Sequence, residues 1–364
     1  MANVDRSIWA DEYALIVAAV AINGQVGADS TVWNTATVNA SYDFEAGAIG
    51  VDSNKYGLQL TNHPTFDPGQ NIINQRKALG TSYRRAGTGY EFQQGTRLPT
   101  TTWEFDVTKK NIVPFLWTLF QKGLSEGAAS VYLKTFTAYT ETTGADCEAY
   151  LALLRKMSGE NTDSHVIGGA ICRSLTLSVT EGEPLKASAE MIGYNMVTDF
   201  DFNAGSSIIE YDTTAPLLWQ NATVEIEDTA VNIPGFSLTI SNNAVPKFYD
   251  SPHPLKYVLG DLTAEGTISV PWGQATKGGN TEFDRFVAGT ESYLEIYWGN
   301  ETPSADGDFK IYLNMKYTGA ANVGDDEILT ELPFIAVCDS ANSEPSATSS
   351  LLLYSGESVN RSIP

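Results

Sequence analysis

"AICRSLTLSVTEGEPLKASAEMIGY", residues 170–194, decides the fold. Leu175, Leu177 and Val179 alternate with Ser174, Thr176 and Ser178, and Glu181-Gly182-Glu183-Pro184 then supplies the chemistry of a reverse turn. Beyond the turn Leu185, Ala187, Ala189 and Met191 alternate with Lys186, Ser188 and Glu190. A period of two on both sides predicts a long antiparallel hairpin with one apolar and one polar face. None of its residues forms a recognisable nucleophile, base or metal-ligand set, so the hairpin is structural material.

The rest of the chain is consistent with that material. Its 364 residues are 42% hydrophobic, enough for two cores rather than one, and 31 Gly and 15 Pro favour strands joined by many turns. A net charge of −22 argues against a surface that holds nucleic acid by its phosphates, while leaving DNA free to pass nearby. Cys147, Cys172 and Cys338 have no metal-like spacing and are expected as buried free thiols in a reducing compartment. The apolar run from Tyr13 to Ile22 is about half the length that spans a bilayer, so neither a signal peptide nor an anchor is read there. Asn-x-Ser/Thr triplets at Asn39, Asn221, Asn300 and Asn360 are read as chance.

An internal repeat organises the chain. "VWNTATV" at 32–38 returns as "LWQNATV" at 218–224, "GLQLTNHP" from Gly57 resembles "GFSLTISN" from Gly235, and "TTWEFDV" from Thr101 resembles "GTISVPW" from Gly266. Each half then offers a helix. Asn111 is expected to cap one whose apolar face carries Ile112, Phe115, Leu116, Leu119 and Phe120, ending at Gly123. The second is expected to be shorter, with Thr281 and Asp284 as a variant capping box ahead of Phe283, Phe286 and Val287, and Gly289 as its stop. Aromatic strands follow at 130–136 and 292–298. The expected fold is mainly β: two tandem antiparallel sandwich or barrel domains, each with one flanking helix. The boundaries are an N-terminal arm (1–30), a first domain (31–210), a second (211–340) and a C-terminal tail (341–364). Such sheets have open edges, which pair with other chains unless blunted.

Charge is unevenly spread. Between Arg76 and Lys122 eight basic residues face three acidic ones, and from residue 200 onward seven basic face 23 acidic. Opposite patches of this kind suit self-assembly.

Sites of chemistry are sparse. His63, His165 and His253 are isolated, and Glu181/Glu183 and Asp325/Asp326/Glu327 lie in expected turns, where carboxylates are solvated. "SADGDF" at 304–309 lacks the remaining ligands of a calcium loop, and no phosphate-cradling glycine loop occurs. Trp103, Trp117, Trp272 and Trp298 are read as inward-facing core residues. No enzyme activity, metal or cofactor is expected.

Three segments carry a family likeness: "ICRSLTLSVTEGEPLKASAEMIGY" (171–194), "IPGFSLTISNNAVP" (233–246) and "VLGDLTAEGTISVPW" (258–272). From about Trp33 to Cys338 the chain resembles the major tail tube proteins of long-tailed bacteriophages. The resemblance implies a structural virion protein of the tail, assembled in the host cytoplasm, whose rings stack into the conduit for genome delivery. Members with a duplicated domain form trimers of pseudo-sixfold symmetry, and the repeat would place this chain among them. Its partners would be itself, other tail proteins at the tube ends, and viral DNA passing without specific binding, with no membrane. Lys186, Ser188, Glu190, Thr263, Glu265 and Thr267 would then line the lumen. The basic segment with Arg76, Lys77, Arg84, Arg85 and Arg97 would reach the neighbouring ring. Alternatives are a decoration protein, a contractile-injection tube or, further off, a β-sandwich glycosidase.

Overall fold

Residues 170–194 form the expected hairpin. Strands Ser164–Thr180 and Lys186–Ile192 pair antiparallel, with Lys186 opposite Ser178 and Ala189 opposite Leu175. Gly182 takes a positive φ of 80° in the turn between them, a conformation that costs glycine nothing. Leu175, Leu177, Val179, Leu185, Ala187, Ala189 and Met191 are all buried, as their alternation requires.

The computed structural model describes residues 14–21, 55–57, 60–62, 64–75, 91–109, 111–121, 124–126, 132–137, 149–156, 164–200, 214–273, 279–300, 308–323, 328–337 and 351–357. The protein is mainly β. In chain order the first half contributes β1 (Ala14–Ala21), β2 (Lys55–Gly57), β3 (Gln70–Gln75), β4 (Glu91–Arg97), β5 (Thr100–Asp106) and helix α1 (Val113–Phe120). Then come β6 (Leu124–Glu126), β7 (Tyr132–Thr137), β8 (Ala149–Lys156), β9 (Ser164–Thr180), β10 (Lys186–Ile192) and β11 (Asn195–Phe200). The second half contributes β12 (Ala222–Ile226), β13 (Thr229–Ala230), β14 (Gly235–Ser241), β15 (Val245–Lys247), β16 (Lys256–Val258), β17 (Thr263–Pro271) and helix α2 (Gly279–Ala288). It closes with β18 (Ser292–Trp298), β19 (Phe309–Tyr317), β20 (Ala321–Val323), β21 (Leu329–Ala336) and β22 (Leu351–Glu357).

Eighteen of these strands join in one antiparallel sheet, and the same order of pairing occurs twice in it. In the first half it runs β1–β8–β9–β10–β5, and in the second β12–β18–β19–β21–β17. Each half also sends a two-stranded arm, β3–β4 or β15–β16, out ahead of β5 or β17. The halves meet where β14 pairs with the C-terminal part of β9. Strand β9 can serve two neighbourhoods because it turns at Gly169, φ +62°: through Ala170 it pairs with β8 and β11, from Ile171 onward with β10 and then β14. The segment read as a C-terminal tail contains β22, which lies between β19 and β7.

One apolar cluster runs from Trp103 to Phe334 behind the sheet. Helix α1 lies wholly within it, every residue from Val113 to Phe120 being buried, and Phe115 stacks on Phe105 at 4.9 Å between ring centroids. A helix apolar all round belongs in such a place, and each large side chain fully buried contributes about 1.5–3 kcal/mol. Asn111 does not cap it. Its side chain accepts the Thr108 N–H and donates to the Asp106 carbonyl, holding the turn out of β5, while the N-cap position is Ile112 and Pro114 pre-sets the first turn. The helix stops at Gln121, φ +52°, and Gly123 lies outside the described residues. Helix α2 is longer than α1, not shorter: it begins at Gly279, ahead of the expected capping box, and ends as expected at Gly289, φ +66°. Cys172 is a buried free thiol pushed upward in pKa by burial first and by Glu190 second; Cys147 and Cys338 lie outside the described residues. Among the four tryptophans read as inward, Trp103, Trp117 and Trp298 are buried, but Trp272 is 42% exposed, because it sits at the rim of the sheet with no described segment laid over it as the segment at Leu217 is laid over Val107.

Candidate functional site

The sheet face opposite the core is the most extended polar feature among the described residues. Register makes it continuous across five strands and both halves. One row reads Thr102 (β5), Glu190 (β10), Ser174 (β9), Ser241 (β14), Thr263 (β17). The next reads Glu104, Ser188, Thr176, Thr239, Glu265 and, on β21, Ile335; the third reads Asp106, Lys186, Ser178, Ser237, Thr267 and Pro333. Side-chain direction alternates along every strand, so these rows share one side. Burial agrees: β5 and β14 alternate between buried and accessible residues along their length, as do β10 and β17 over most of theirs.

All six residues expected on a wet face, Lys186, Ser188, Glu190, Thr263, Glu265 and Thr267, are brought together here. They come from two hairpins that sequence alone leaves unconnected, and β14 is the strand that joins them. Ser174, Thr176 and Ser178 of β9, read in the sequence as the polar side of the hairpin, form the middle of the face with Ser237, Thr239 and Ser241 of β14, which the sequence reading did not place on it. The same period-two signal that marked Lys186 to Glu190 was present in "GFSLTIS". At the seam Thr176 and Thr239 hydroxyls hydrogen-bond at 3.0 Å, a cross-strand pair of the stabilising kind.

Charge on the face is mainly acidic. Glu104, Asp106, Glu190, Glu265 and Glu331 lie on it, with Glu183 at the hairpin tip, against Arg173, Lys186 and Lys316. Two of those cations are engaged by carboxylates. Lys186 donates to Glu183 at 2.7 Å, which holds the Glu183 carboxyl below its usual range and the ammonium above its own; Thr180 also donates to Glu183. Arg173 stands 3.6 Å from Glu190, with both side chains about half exposed, so the pair contributes little to stability.

The remaining expectations are placed as follows. Arg97 is half-buried at the end of β4, and its N–H donates to the Pro252 carbonyl at 2.7 Å, while Arg76, Lys77, Arg84 and Arg85 lie outside the described residues. Glu181 and Glu183 occupy the exposed hairpin tip, and Asp325, Asp326 and Glu327 lie outside the described residues. His253 packs its ring against Tyr194 at 5.8 Å, and burial holds its pKa below the usual value. Among the described residues no group of three or more His, Cys, Asp or Glu is placed to hold a metal.

A family model described as phage tail tube protein matches residues 28–336. No curated protein matches the chain.

Proposed function

The chain belongs to the phage tail tube protein family, a structural component of the virion tail, and from that premise we propose that three copies close into a ring and that stacked rings form the channel through which the genome leaves. The observation that carries this is the continuous polar face from β5 to β17, to which both halves contribute. In the proposed assembly it faces the bore, and the apolar back face is the body of the wall. We take 31–210 and 211–340 as the two repeats, since their strand order is the same. Assembly takes place in the host cytoplasm, with other tail proteins at the tube ends.

The register supports a curved wall. Thr100 and Glu265 hold equivalent places in the two halves, four strands apart, yet the row of Glu265 reaches Glu104, four residues beyond Thr100. A stagger equal to the number of strands corresponds to a tilt of about 36°, within the range of closed barrels. Two such repeats from each of three copies give about 24 strands and a cylinder about 45 Å across at the backbone. After side chains are allowed for, a duplex passes through it. A wall rich in Ser, Thr and carboxylate, with two of its three cations already engaged by carboxylates, offers few cationic contacts to the phosphates, which is what passage without retention requires.

Negative-stain microscopy of the purified protein tests this reading. Rings about as wide as the barrel plus one packed layer, and tubes at higher concentration, are expected; a protein that stays monomeric throughout overturns it. Stacking is assigned to the basic segment, so Arg84→Glu with Arg85→Glu is expected to leave folded rings but shorten tubes and lower their salt resistance. Tubes of unchanged length and salt resistance in that variant would remove this segment from the ring-to-ring contact.

A further inference from the structure

The seam between the two halves is a contact of the chain with itself, and the second half offers the same contact surface again, unfilled. Equivalent places follow from register. Trp103 and Ile268 are both fully buried at the middle of β5 and β17. Counting from them, Val107 corresponds to Trp272, and through the β5–β10 and β17–β21 pairings Leu185 corresponds to Ile328 and Ile192 to Ile335. The backbone repeats this correspondence: Val107 N–H donates to the Leu185 carbonyl at 2.7 Å, and Trp272 N–H donates to the Ile328 carbonyl at 2.8 Å.

Exposure separates the two sets. Val107, Leu185 and Ile192 are 0%, 0% and 2% exposed, whereas Trp272, Ile328 and Ile335 are 42%, 54% and 42% exposed. The second half covers the first set. Leu217, on the chain entering β12, bonds both Val107 and Leu185, donating to one and accepting from the other. Tyr257, on the β15–β16 arm, closes over Ile192 with Ala244 and Leu259. Neither cover has a counterpart over Trp272, Ile328 or Ile335 among the described residues.

We infer that Trp272, Ile328 and Ile335 are the docking points for the first half of a second copy of this chain, which repeats between molecules the seam found within one. This rests on the ring reading above. The first half carries an arm for the purpose: Phe92 pairs with Asn74 in β3–β4 as Tyr257 pairs with Pro246 in β15–β16. The β3–β4 arm of the second copy takes the place of the β15–β16 arm over Ile335. The free edge of β20, which pairs with β21 alone among the described residues, corresponds to the part of β9 that receives β14. Such a contact is head-to-tail, and head-to-tail contacts close into rings when the rotation permits.

The test compares the full chain with Ile328→Asp/Ile335→Asp, and with Tyr249→Asp as a control at a residue 71% exposed that lies outside these points. The double variant is expected to keep the wild-type denaturation midpoint and remain monomeric where wild type and Tyr249→Asp form rings. In a background with Cys147 and Cys338 changed to Ser, Phe92→Cys/Ile335→Cys is expected to crosslink between chains on oxidation, giving dimers and trimers on a denaturing gel. Wild-type rings together with unimpaired assembly of the double variant, or with crosslinks confined to single chains, overturn the docking assignment and leave the ring reading standing. Absence of wild-type rings overturns both.

Discussion

Arg285→Met is expected to lower the unfolding free energy by about 3–5 kcal/mol, the cost of leaving a buried charge without its partner. The residue sits on α2 and holds together three elements far apart in sequence. Its guanidinium binds the Glu227 carboxylate bidentately in the turn between β12 and β13, and its Nε lies 3.5 Å from Glu282. Glu282 is fully buried and accepts the Tyr317 hydroxyl of β19 at 2.8 Å. The hydrogen bond to Glu227 raises the Arg285 pKa, and burial, with Glu282 adding to it, drives the Tyr317 phenol far above its usual range. Removing Arg285 takes from the fully buried Glu282 carboxyl the cation that stands beside it. Denaturant midpoints at concentrations too low for assembly measure the loss. Arg285→Met/Glu282→Gln is expected to recover most of it, because no fully buried charge then remains and the Glu227 carboxylate, 30% exposed, keeps contact with water. A single variant within about 1 kcal/mol of wild type would assign the pair to the solvated surface class instead.

Glu104→Lys/Glu190→Lys/Glu265→Lys is expected to convert a wall that releases DNA into one that retains it. The three positions lie on the polar face within two adjacent rows, and all are exposed, so folding is unaffected. Three new cations per chain repeat around and along the channel, enough for a traversing duplex to meet the 6–10 phosphate contacts that change affinity by about 10³–10⁵-fold between 50 and 200 mM salt. Tubes assembled with short duplexes and sedimented should carry DNA at low salt in the variant and none in the wild type. Release on raising the salt identifies the electrostatic cause. Variant tubes that carry no more DNA than wild type would place this face on the outside of the particle.

Much of the architecture was legible from local pattern. The β9–β10 hairpin, the apolar face of α1 and the stop at Gly289 all follow from periodicity and glycine, which act within a few residues. The misreadings occur where distance in sequence intervenes. Glu282 gives no sign of being buried, since Tyr317, which donates to it, lies 35 residues away. Asn111 has cap chemistry, yet the Asp106 carbonyl and the Thr108 N–H claim it first. Trp272 continues the inward alternation of Ile268 and Val270, but the cover that Leu217 gives to its counterpart Val107 has no equivalent there among the described residues.

Sequence alone therefore determined the material: antiparallel strands with a dry and a wet side, the α1 and α2 helices of the described residues, and an excess of acid. Alternation and turn residues specify this because each side chain chooses its side from its immediate neighbours. Tertiary structure alone decided that the wet sides form one surface. That depends on β14 taking the open edge of β9 with Thr176 opposite Thr239, 63 residues apart, and a partner for an unfilled backbone edge is selected by geometry across the whole chain.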